Sequence, residues 1–224
     1  GFKPYSAVQI CSWGYKKLQF DPENWTNISK LMKQKLREDF SFDLPQINWH
    51  IQSKDGTRKF LVGFQDGKTV EAVAIYAAKR VTLCLSTQVG CAIGCTFCHT
   101  GTMGLTRNLQ CSEILGQFLV VSQFIQKYDE KLTNIVYMGQ GEPLHNFKQT
   151  KKATELFLAP EGLGLGQRKI NFPQSSHGLR PRDSLSCFEV LQEKRDGFCY
   201  WGIKEMVLGL AEVCSSGEVV IFQT

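Results

Sequence analysis

The sequence lacks any apolar run that approaches the roughly 20 residues of a membrane-spanning helix. It also shows no segment of signal-peptide type before its first motif. These absences argue against a membrane or exported protein, so we expect a cytoplasmic protein that acts without a membrane partner. Because the chain begins at Gly1 rather than at Met, a missing upstream segment and an organellar location stay an alternative.

Strong compositional bias is absent too, since hydrophobic residues make up 42% and charged residues 21% of the 224 residues. These values are ordinary for a globular protein, and the length allows one or two domains. The nine cysteines do not resemble a secreted disulfide framework, because three of them lie within one short loop. This usage indicates a reducing compartment with metal or redox chemistry.

The positive charge is concentrated in the first three quarters of the chain. Residues 1–170 hold 21 Lys and Arg against 14 Asp and Glu, whereas residues 171–224 hold 5 against 7. Basic clusters occur at Lys30 to Arg37, Arg58-Lys59, Lys79-Arg80 and Lys148 to Lys152. Such a surplus suits a polyanionic partner, and a plain solvated surface is the alternative.

Two helices and three strands are predicted over the first 80 residues. Apolar residues at helical spacing predict helices over 5–18 and 24–40. From residue 46 the apolar period changes to two, which predicts strands over 46–53, 57–64 and 69–76. Because Asp-Gly pairs at 55–56 and 66–67 are typical hairpin turns, we expect the strands to form an antiparallel meander.

Strands and helices then alternate over residues 81–172. Strands are predicted over 81–86, 134–139 and 168–172, with helices over 112–128, capped by Ser112, and over 148–158. This order begins a parallel α/β sheet or barrel, in which chemistry lies on the loops after the strands. We therefore predict an α/β protein with an accessory region (1–80), the first half of a barrel core (81–170) and an irregular tail (171–224).

Three cysteines at C-x3-C-x2-C spacing, Cys91, Cys95 and Cys98, follow the strand predicted over 81–86. Each thiolate can hold one iron of a cubane iron–sulfur cluster, which leaves the fourth iron open to an exogenous ligand. Where that ligand is S-adenosylmethionine, one electron from the cluster splits it and starts radical chemistry. Haem attachment at Cys95 to His99, a zinc site and a thioredoxin-like dithiol are the alternatives.

The segment Gly139-Gln140-Gly141-Glu142-Pro143 follows the next predicted strand. Two glycines let the backbone approach a ligand closely, and the Glu142 carboxylate can pair with an ammonium group. Since S-adenosylmethionine carries an amino group at its methionine end, this loop is a candidate site for it. A tight turn with an exposed Glu142 is the alternative.

Glu71 and Cys84 are two further candidates. Strand alternation puts Glu71 on the face of Val73 and Ile75, where apolar surroundings would disfavour the charged carboxylate and make it a better proton acceptor. An edge-strand Glu that reaches solvent is the alternative. Cys84 points away from the apolar face of its own strand, either into a barrel interior near the cysteine loop or into an ordinary buried position.

Blocks of sequence around these residues also match a known pattern. They are Thr82-Leu83-Cys84, Ser86-Thr87-Gln88-Val89-Gly90, the cysteine loop 91–98, Thr100-Gly101, Arg107-Asn108-Leu109, Ser112 to Gln117 and Gly139 to Leu144. Together they resemble the radical SAM methyltransferases that modify C2 of an adenine in ribosomal RNA, whose bacterial members also modify transfer RNA. The resemblance runs from about residue 3 to residue 170.

The resemblance implies a role for each candidate residue. Cys91, Cys95 and Cys98 would ligate a [4Fe-4S] cluster, Gly141 and Glu142 would contact S-adenosylmethionine, Glu71 would deprotonate the target carbon, and Cys84 would resolve a covalent protein–RNA adduct by forming a disulfide. The implied partners are ribosomal RNA, transfer RNA as a second substrate, and an electron donor such as flavodoxin or ferredoxin. The accessory region would bind RNA, and we expect a monomer.

The tail departs from the family pattern. In that family a cysteine late in the chain is methylated first, and a radical made from a second S-adenosylmethionine then delivers its carbon to adenine C2. After Ile170 the expected strands do not follow, and Cys187, Cys199 and Cys214 lack the surroundings of the methyl-accepting cysteine. We therefore expect an incomplete, inactive form of the enzyme, with a non-catalytic RNA-binding or regulatory fragment as the alternative.

Overall fold

A computed structural model describes residues 4–172, and the late cysteines Cys187, Cys199 and Cys214 lie outside the described residues. The helices are α1 (Pro4–Cys11), α2 (Lys30–Asp39), α3 (His99–Thr102), α4 (Cys111–Gln126) and α5 (Phe147–Leu158). The strands are β1 (Gln46–Gln52), β2 (Arg58–Gly63), β3 (Thr69–Ala77), β4 (Arg80–Cys84), β5 (Gln88–Gly90), β6 (Leu105–Asn108), β7 (Asn134–Val136) and β8 (Ile170–Asn171). None of the helices within 4–172 is long and apolar enough to cross a membrane.

Six strands form one mixed sheet in the order β1-β2-β3-β4-β7-β8. The pairs from β1 to β4 are antiparallel, whereas β4–β7 and β7–β8 are parallel. The predicted meander and the α/β fold class are therefore confirmed. The domain boundary predicted at residue 80 falls at the β3–β4 turn of this continuous sheet and stays a prediction.

The main core lies between one face of the sheet and α4. Six side chains on that face have no solvent exposure: Phe60, Val62, Val70, Ala72, Ala74 and Leu83. The apolar stripe of α4 packs against them and brings Ile114, Leu115, Phe118 and Leu119 into the same cluster. Among the described residues, Trp49, Ile51 and Ile75 on the opposite face of β1–β3 are about half exposed, and this side of the sheet is called the open face.

The N-terminal helices differ from their predicted ranges. The helix predicted over 5–18 consists of α1 followed by a π-helical segment, Ser12–Lys16. The helix predicted over 24–40 begins only at Lys30, because the Ser29 hydroxyl accepts a hydrogen bond from the Met32 N–H (3.3 Å) and caps it there. The residues before it form a short 3₁₀ turn, Pro22–Asn24.

The predicted cap of α4 at Ser112 is wrong. The helix begins one residue earlier, and Gln110 is its N-cap. The Gln110 N–H donates to Glu113 Oε2 at 2.8 Å, so the carboxylate three residues on closes the first turn as in a capping box. Ser112 lies inside that turn, and its buried hydroxyl has no hydrogen-bond partner among the described residues.

The free energy of unfolding should depend on pH because two cysteine thiols are buried. Burial raises the pKa of Cys11 and of Cys111 to about 12, above the unfolded value of about 8.5. Each neutral thiol therefore contributes its full stabilisation below the unfolded pKa and loses it as the pH rises towards the folded pKa. Cys111→Ala should make the fall in the free energy of unfolding between pH 9 and 10 shallower by about 1 kcal/mol per pH unit.

Urea unfolding of the wild type and of Cys111→Ala at several pH values measures this slope. The variant is expected to lose stability at every pH because it removes core atoms, so the slope rather than the absolute value is compared. Parallel slopes in the two proteins would show that the Cys111 thiol ionises as readily in the folded state as in the unfolded state.

Candidate cofactor and substrate site

The cysteine loop is held at both ends by a two-stranded sheet that the sequence did not predict. β5 pairs with β6 in antiparallel register, and the Cys91 N–H donates to the Gly104 carbonyl at 3.0 Å. Within the loop, the Cys98 N–H donates to the Cys95 carbonyl at 3.0 Å. All three cysteines are half-buried and none forms a disulfide within residues 4–172, and Phe97, between Cys95 and Cys98, is 81% exposed.

The three thiols have the number and chemistry that a cubane iron–sulfur cluster takes from a protein. Within residues 4–172, no group of three His, Cys, Asp or Glu side chains lies close enough together to hold a single metal ion. A zinc site needs its ligands around one point, whereas in a cubane cluster each thiolate binds its own iron. Three half-buried thiols on one closed loop therefore fit a [4Fe-4S] cluster with one iron open to another ligand.

The glycine-rich loop lies directly against the segment that leads into the cysteine loop. The Gln140 carbonyl accepts hydrogen bonds from the N–H groups of Thr87 (2.8 Å) and Gln88 (3.3 Å). The Glu142 N–H donates to Gln88 Oε1 at 2.9 Å. Gly141 has φ +91°, and a Cβ there would lie 2.5 Å from the Gln88 Cβ. The glycine-rich loop is thus joined to the segment that precedes the cysteine loop, and glycine is required at position 141 because of this contact.

The Glu142 carboxylate is partly used in its own turn. Glu142 Oε1 accepts a hydrogen bond from the Leu144 N–H at 3.1 Å, which fixes the orientation of the side chain. A carboxylate offers about four acceptor positions, so one such bond leaves capacity for an ammonium group. This arrangement suits the predicted contact with the amino end of S-adenosylmethionine.

Ser86 joins three parts of the candidate site. Its hydroxyl donates to the Glu71 carbonyl at 2.6 Å and accepts from the Gln140 N–H at 2.8 Å. The Gln117 side chain of α4 accepts from the Ser86 N–H and donates to the Ser86 carbonyl, both at 3.0 Å. Ser86 and Gln117 are fully buried, so the strand of Glu71, the glycine-rich loop and α4 meet at one residue.

The side-chain amide of Asn146 is also buried, and it fixes Thr87, the residue after Ser86. Asn146, the N-cap of α5, donates from Nδ2 to the carbonyls of Thr87 (2.8 Å) and Leu109 (2.7 Å). Sequence patterns missed both amides, because Asn146 lies in a polar stretch before its helix. The segment before β5 is consequently held by two buried side-chain amides, Gln117 of α4 and the N-cap Asn146 of α5.

Glu71 does not have the apolar environment predicted for it. Alternation does place it on the face of Val73 and Ile75, but the face of Val70 is the one buried against α4. The Glu71 side chain is 41% exposed, and its Oε1 lies 2.6 Å from Lys59 Nζ. The prediction of apolar surroundings is therefore wrong, because the helix layer covers the other face of the sheet.

Cys84 lies where alternation predicted. It is opposite Val73 in the β3–β4 register and points away from Leu83, so it shares the open face with Glu71. The thiol is nevertheless buried, and burial raises its pKa while a hydrogen bond to the Met138 backbone lowers it less. Its proximity to the cysteine loop stays a prediction.

The mixed α/β fold of this chain is that of a radical SAM methyltransferase. A radical SAM methyltransferase from Sphaerobacter thermophilus superposes on this chain with a TM-score of 0.72 at 37% identity, covering 80% of this chain and 52% of the other. No protein-family model matches the chain.

The names of the curated relatives are more specific about the type of methyltransferase. The dual-specificity RNA methyltransferase RlmN of Bdellovibrio bacteriovorus is 42% identical over 181 residues, which cover 81% of this chain and 45% of the relative. The probable dual-specificity RNA methyltransferase RlmN of Dictyoglomus turgidum is 42% identical over 182 residues, covering 81% and 51%. The resemblance is thereby confirmed, and over most of its length this chain is a relative of the radical SAM RNA methyltransferases.

The chain spans about half the length of the curated relatives it matches. The RlmN of Ruegeria pomeroyi is 36% identical over 241 residues, covering 96% of this chain and 61% of the relative. That coverage reaches past residue 172. The interpretation of residues 171–224 as a non-family tail therefore stays a prediction.

Proposed function

We propose that this chain carries the cofactor-binding part of a radical SAM enzyme that methylates C2 of an adenine in RNA. The main support is the set of hydrogen bonds that joins the entry to the cysteine loop, the glycine-rich loop and the strand of Glu71 through Ser86 and Gln88. A [4Fe-4S] cluster on Cys91, Cys95 and Cys98 would supply the electron that cleaves S-adenosylmethionine.

The glycine-rich loop would bind the methionine end of S-adenosylmethionine. Gly141 leaves no side chain between the ligand and the backbone, and the Glu142 carboxylate would pair with the ammonium group. The Leu144 N–H holds one carboxylate oxygen, so less side-chain entropy is lost when the cofactor binds. These residues position the cofactor and do not take part in bond breaking.

Glu71 and Cys84 would act on the nucleobase. The exposed Glu71 carboxylate would accept the C2 proton. The Cys84 thiolate on the same face would attack the sulfur of the cysteine that carried the methyl carbon, so that a disulfide forms as the carbon–sulfur bond to the product breaks. Because burial raises the Cys84 pKa, its thiol stays protonated near neutral pH and becomes a nucleophile only after a base removes that proton.

The substrate we propose is ribosomal RNA, with transfer RNA as a second substrate. The relatives are named dual-specificity RNA methyltransferases, and the positive charge of residues 1–170 suits a polyanion. An electron donor such as flavodoxin or ferredoxin, a monomeric state and a cytoplasmic location complete the proposal.

Anaerobic reconstitution with iron and sulfide tests the cluster. The chain is expected to bind about four irons and to show a broad absorption that is lost on oxidation. Cys91→Ala, Cys95→Ala and Cys98→Ala should each lower the iron content severely. Cys84→Ala is the matched control and should keep the cluster, since Cys84 lies outside the loop. A sharp haem band, or zinc as the only bound metal, would contradict the proposal.

An assay for cleavage of S-adenosylmethionine, combined with an assay for RNA methylation, distinguishes an active enzyme from an incomplete one. Cleavage together with methylation of an RNA adenine would identify an active enzyme. Cleavage without methylation would identify the incomplete enzyme expected from the sequence. RNA binding without cluster assembly would instead favour the alternative, a non-catalytic RNA-binding or regulatory fragment.

A further inference from the structure

The ion pair between Lys59 and Glu71 lies across two strands of the open face. In the β2–β3 register Glu71 is opposite Leu61 and Lys59 is opposite Val73, so the two charged side chains are diagonal neighbours. Lys59 Nζ lies 2.6 Å from Glu71 Oε1, and the side chains are 43% and 41% exposed. Each therefore reaches solvent while contacting the other.

The contribution of this ion pair to the stability of the fold is small. An exposed ion pair stabilises a fold by only about 0–1 kcal/mol. This pair, however, adjoins the elements of the candidate site, because the Glu71 carbonyl is bonded to Ser86 and Val73 pairs with Cys84. The ammonium group is thus fixed beside the carboxylate that we propose as the base.

The surroundings of the pair suit a nucleobase. Trp49 is 50% exposed and lies opposite Leu61, and exposed Ile51 lies opposite Lys59. An exposed aromatic ring on a sheet is a typical stacking surface for a base. The exposed basic residues Lys54, Lys79 and Arg80 lie at the turns that border this face, where they complement a phosphate backbone.

The chemistry of adenine gives the ammonium group a role. C2 lies between the ring nitrogens N1 and N3, and both nitrogens accept hydrogen bonds. An ammonium group has three donors, and one of those on Lys59 is directed to Glu71. N1 and N3 are both bonded to C2, so a ring that brings C2 to the Glu71 carboxylate can place one of these nitrogens beside the neighbouring ammonium group.

We propose that Lys59 donates a hydrogen bond to N1 or N3 of the target adenine while Glu71 faces C2. Such a bond from a cation draws electron density away from C2, which makes that carbon more receptive to a carbon radical. The inference rests on the proposed function, because it takes adenine C2 as the reacting atom. It adds a residue that binds the target base next to its reacting carbon.

Replacement of single ring atoms in the RNA tests the contact without any turnover. The probe is a short, fluorescently labelled oligouridine with one central adenine, compared with 1-deazaadenine, 3-deazaadenine and 7-deazaadenine at that position. Binding to the 224-residue chain is measured by fluorescence anisotropy. One of the first two replacements should weaken wild-type binding about tenfold, the loss expected for a hydrogen bond to a charged donor. The 7-deaza probe should bind like adenine.

Two lysine variants complete a double-mutant cycle. Lys59→Met should weaken binding of the adenine probe about tenfold and abolish the penalty of the sensitive deaza probe. Lys54→Met is the matched control, since Lys54 is exposed in the β1–β2 turn, and it should leave that penalty unchanged. Circular dichroism and urea unfolding confirm that both variants are folded.

Two results would overturn the inference and remain distinguishable. If the wild type binds RNA but tolerates all three deaza probes, or if Lys59→Met keeps the deaza penalty, the proposed contact is wrong while the proposed function stands. If the wild-type chain binds none of the RNAs, the proposed function fails and the contact fails with it. A penalty that Lys59→Met alone abolishes supports the contact.

Discussion

Gly90→Ala should destabilise the protein by about 3 kcal/mol, the sum of a backbone penalty of about 1–2 kcal/mol and a steric penalty of about 1–3 kcal/mol. Gly90 has φ +78°, a left-handed conformation that alanine adopts only at a cost. A Cβ at this position would lie 2.0 Å from the Gly104 carbonyl oxygen. Because the contacted oxygen belongs to the backbone, it cannot move aside as the end of a flexible side chain could.

The effect on the cysteine loop should be as large as the effect on stability. Gly104 also accepts the hydrogen bond from the Cys91 N–H, so any shift that relieves the clash moves the first cysteine of the loop. We expect Gly90→Ala to lower both the midpoint of urea unfolding and the iron content after reconstitution.

Gly56→Ala is the matched control. Gly56 has φ +86°, but a Cβ there would meet nothing within 4 Å. This variant should therefore cost only the backbone penalty of about 1 kcal/mol and should retain its iron. Equal unfolding midpoints for the two variants would show that the β5–β6 contact adjusts freely, which would contradict the steric argument.

Local chemistry explains the parts of the fold that sequence patterns predicted correctly. The meander followed from Asp-Gly turns and a period of two, both of which depend on residues adjacent in the chain. The helix start at Gln110 was missed because Ser112 ranks higher as a cap. The spacing of Gln110 and Glu113 contained the information, since a Glu three residues after the cap closes the first turn.

The environment of Glu71 could not be predicted from sequence patterns alone. A period of two identifies the residues that share a face, but it does not identify which face a helix will cover. Both faces of β3 carry apolar residues, and α4 packs on the face with the small side chains Ala72 and Ala74. The contact with Lys59 depends on the register in which β2 pairs with β3, and the alternation within β3 alone does not specify that register.

The candidate site was predicted only in part for the same reason. The spacing of Cys91, Cys95 and Cys98 and the glycine-rich loop are local features and were found. The bonds that bring them together involve Gln88, Gln117 and Asn146, polar residues whose burial follows from tertiary packing. One clue was present, since Gln117 interrupts the apolar stripe formed by Ile114, Phe118 and Val121 on α4.

Gln117→Leu should destabilise the protein by about 4 kcal/mol, because it leaves the buried N–H and carbonyl of Ser86 without partners at about 1–3 kcal/mol each. Leucine restores most of the volume, so a cavity contributes little. Gln123→Leu on the same helix is the matched control. The half-buried Gln123 makes one bond, from Nε2 to the Leu18 carbonyl at 2.7 Å, and its loss should cost about 1 kcal/mol.

Hydrogen exchange separates a local from a general effect of Gln117→Leu. Ser86 holds both the Glu71 carbonyl and the Gln140 N–H, so loss of its support should raise amide exchange at residues 86–90 and 139–142 more than in the β1–β2 hairpin. A uniform rise would mean that only global stability fell. The expected local rise would show that one buried amide holds the base-bearing strand, the glycine-rich loop and the entry to the cysteine loop in register, which is the arrangement that a shared cofactor and substrate site requires.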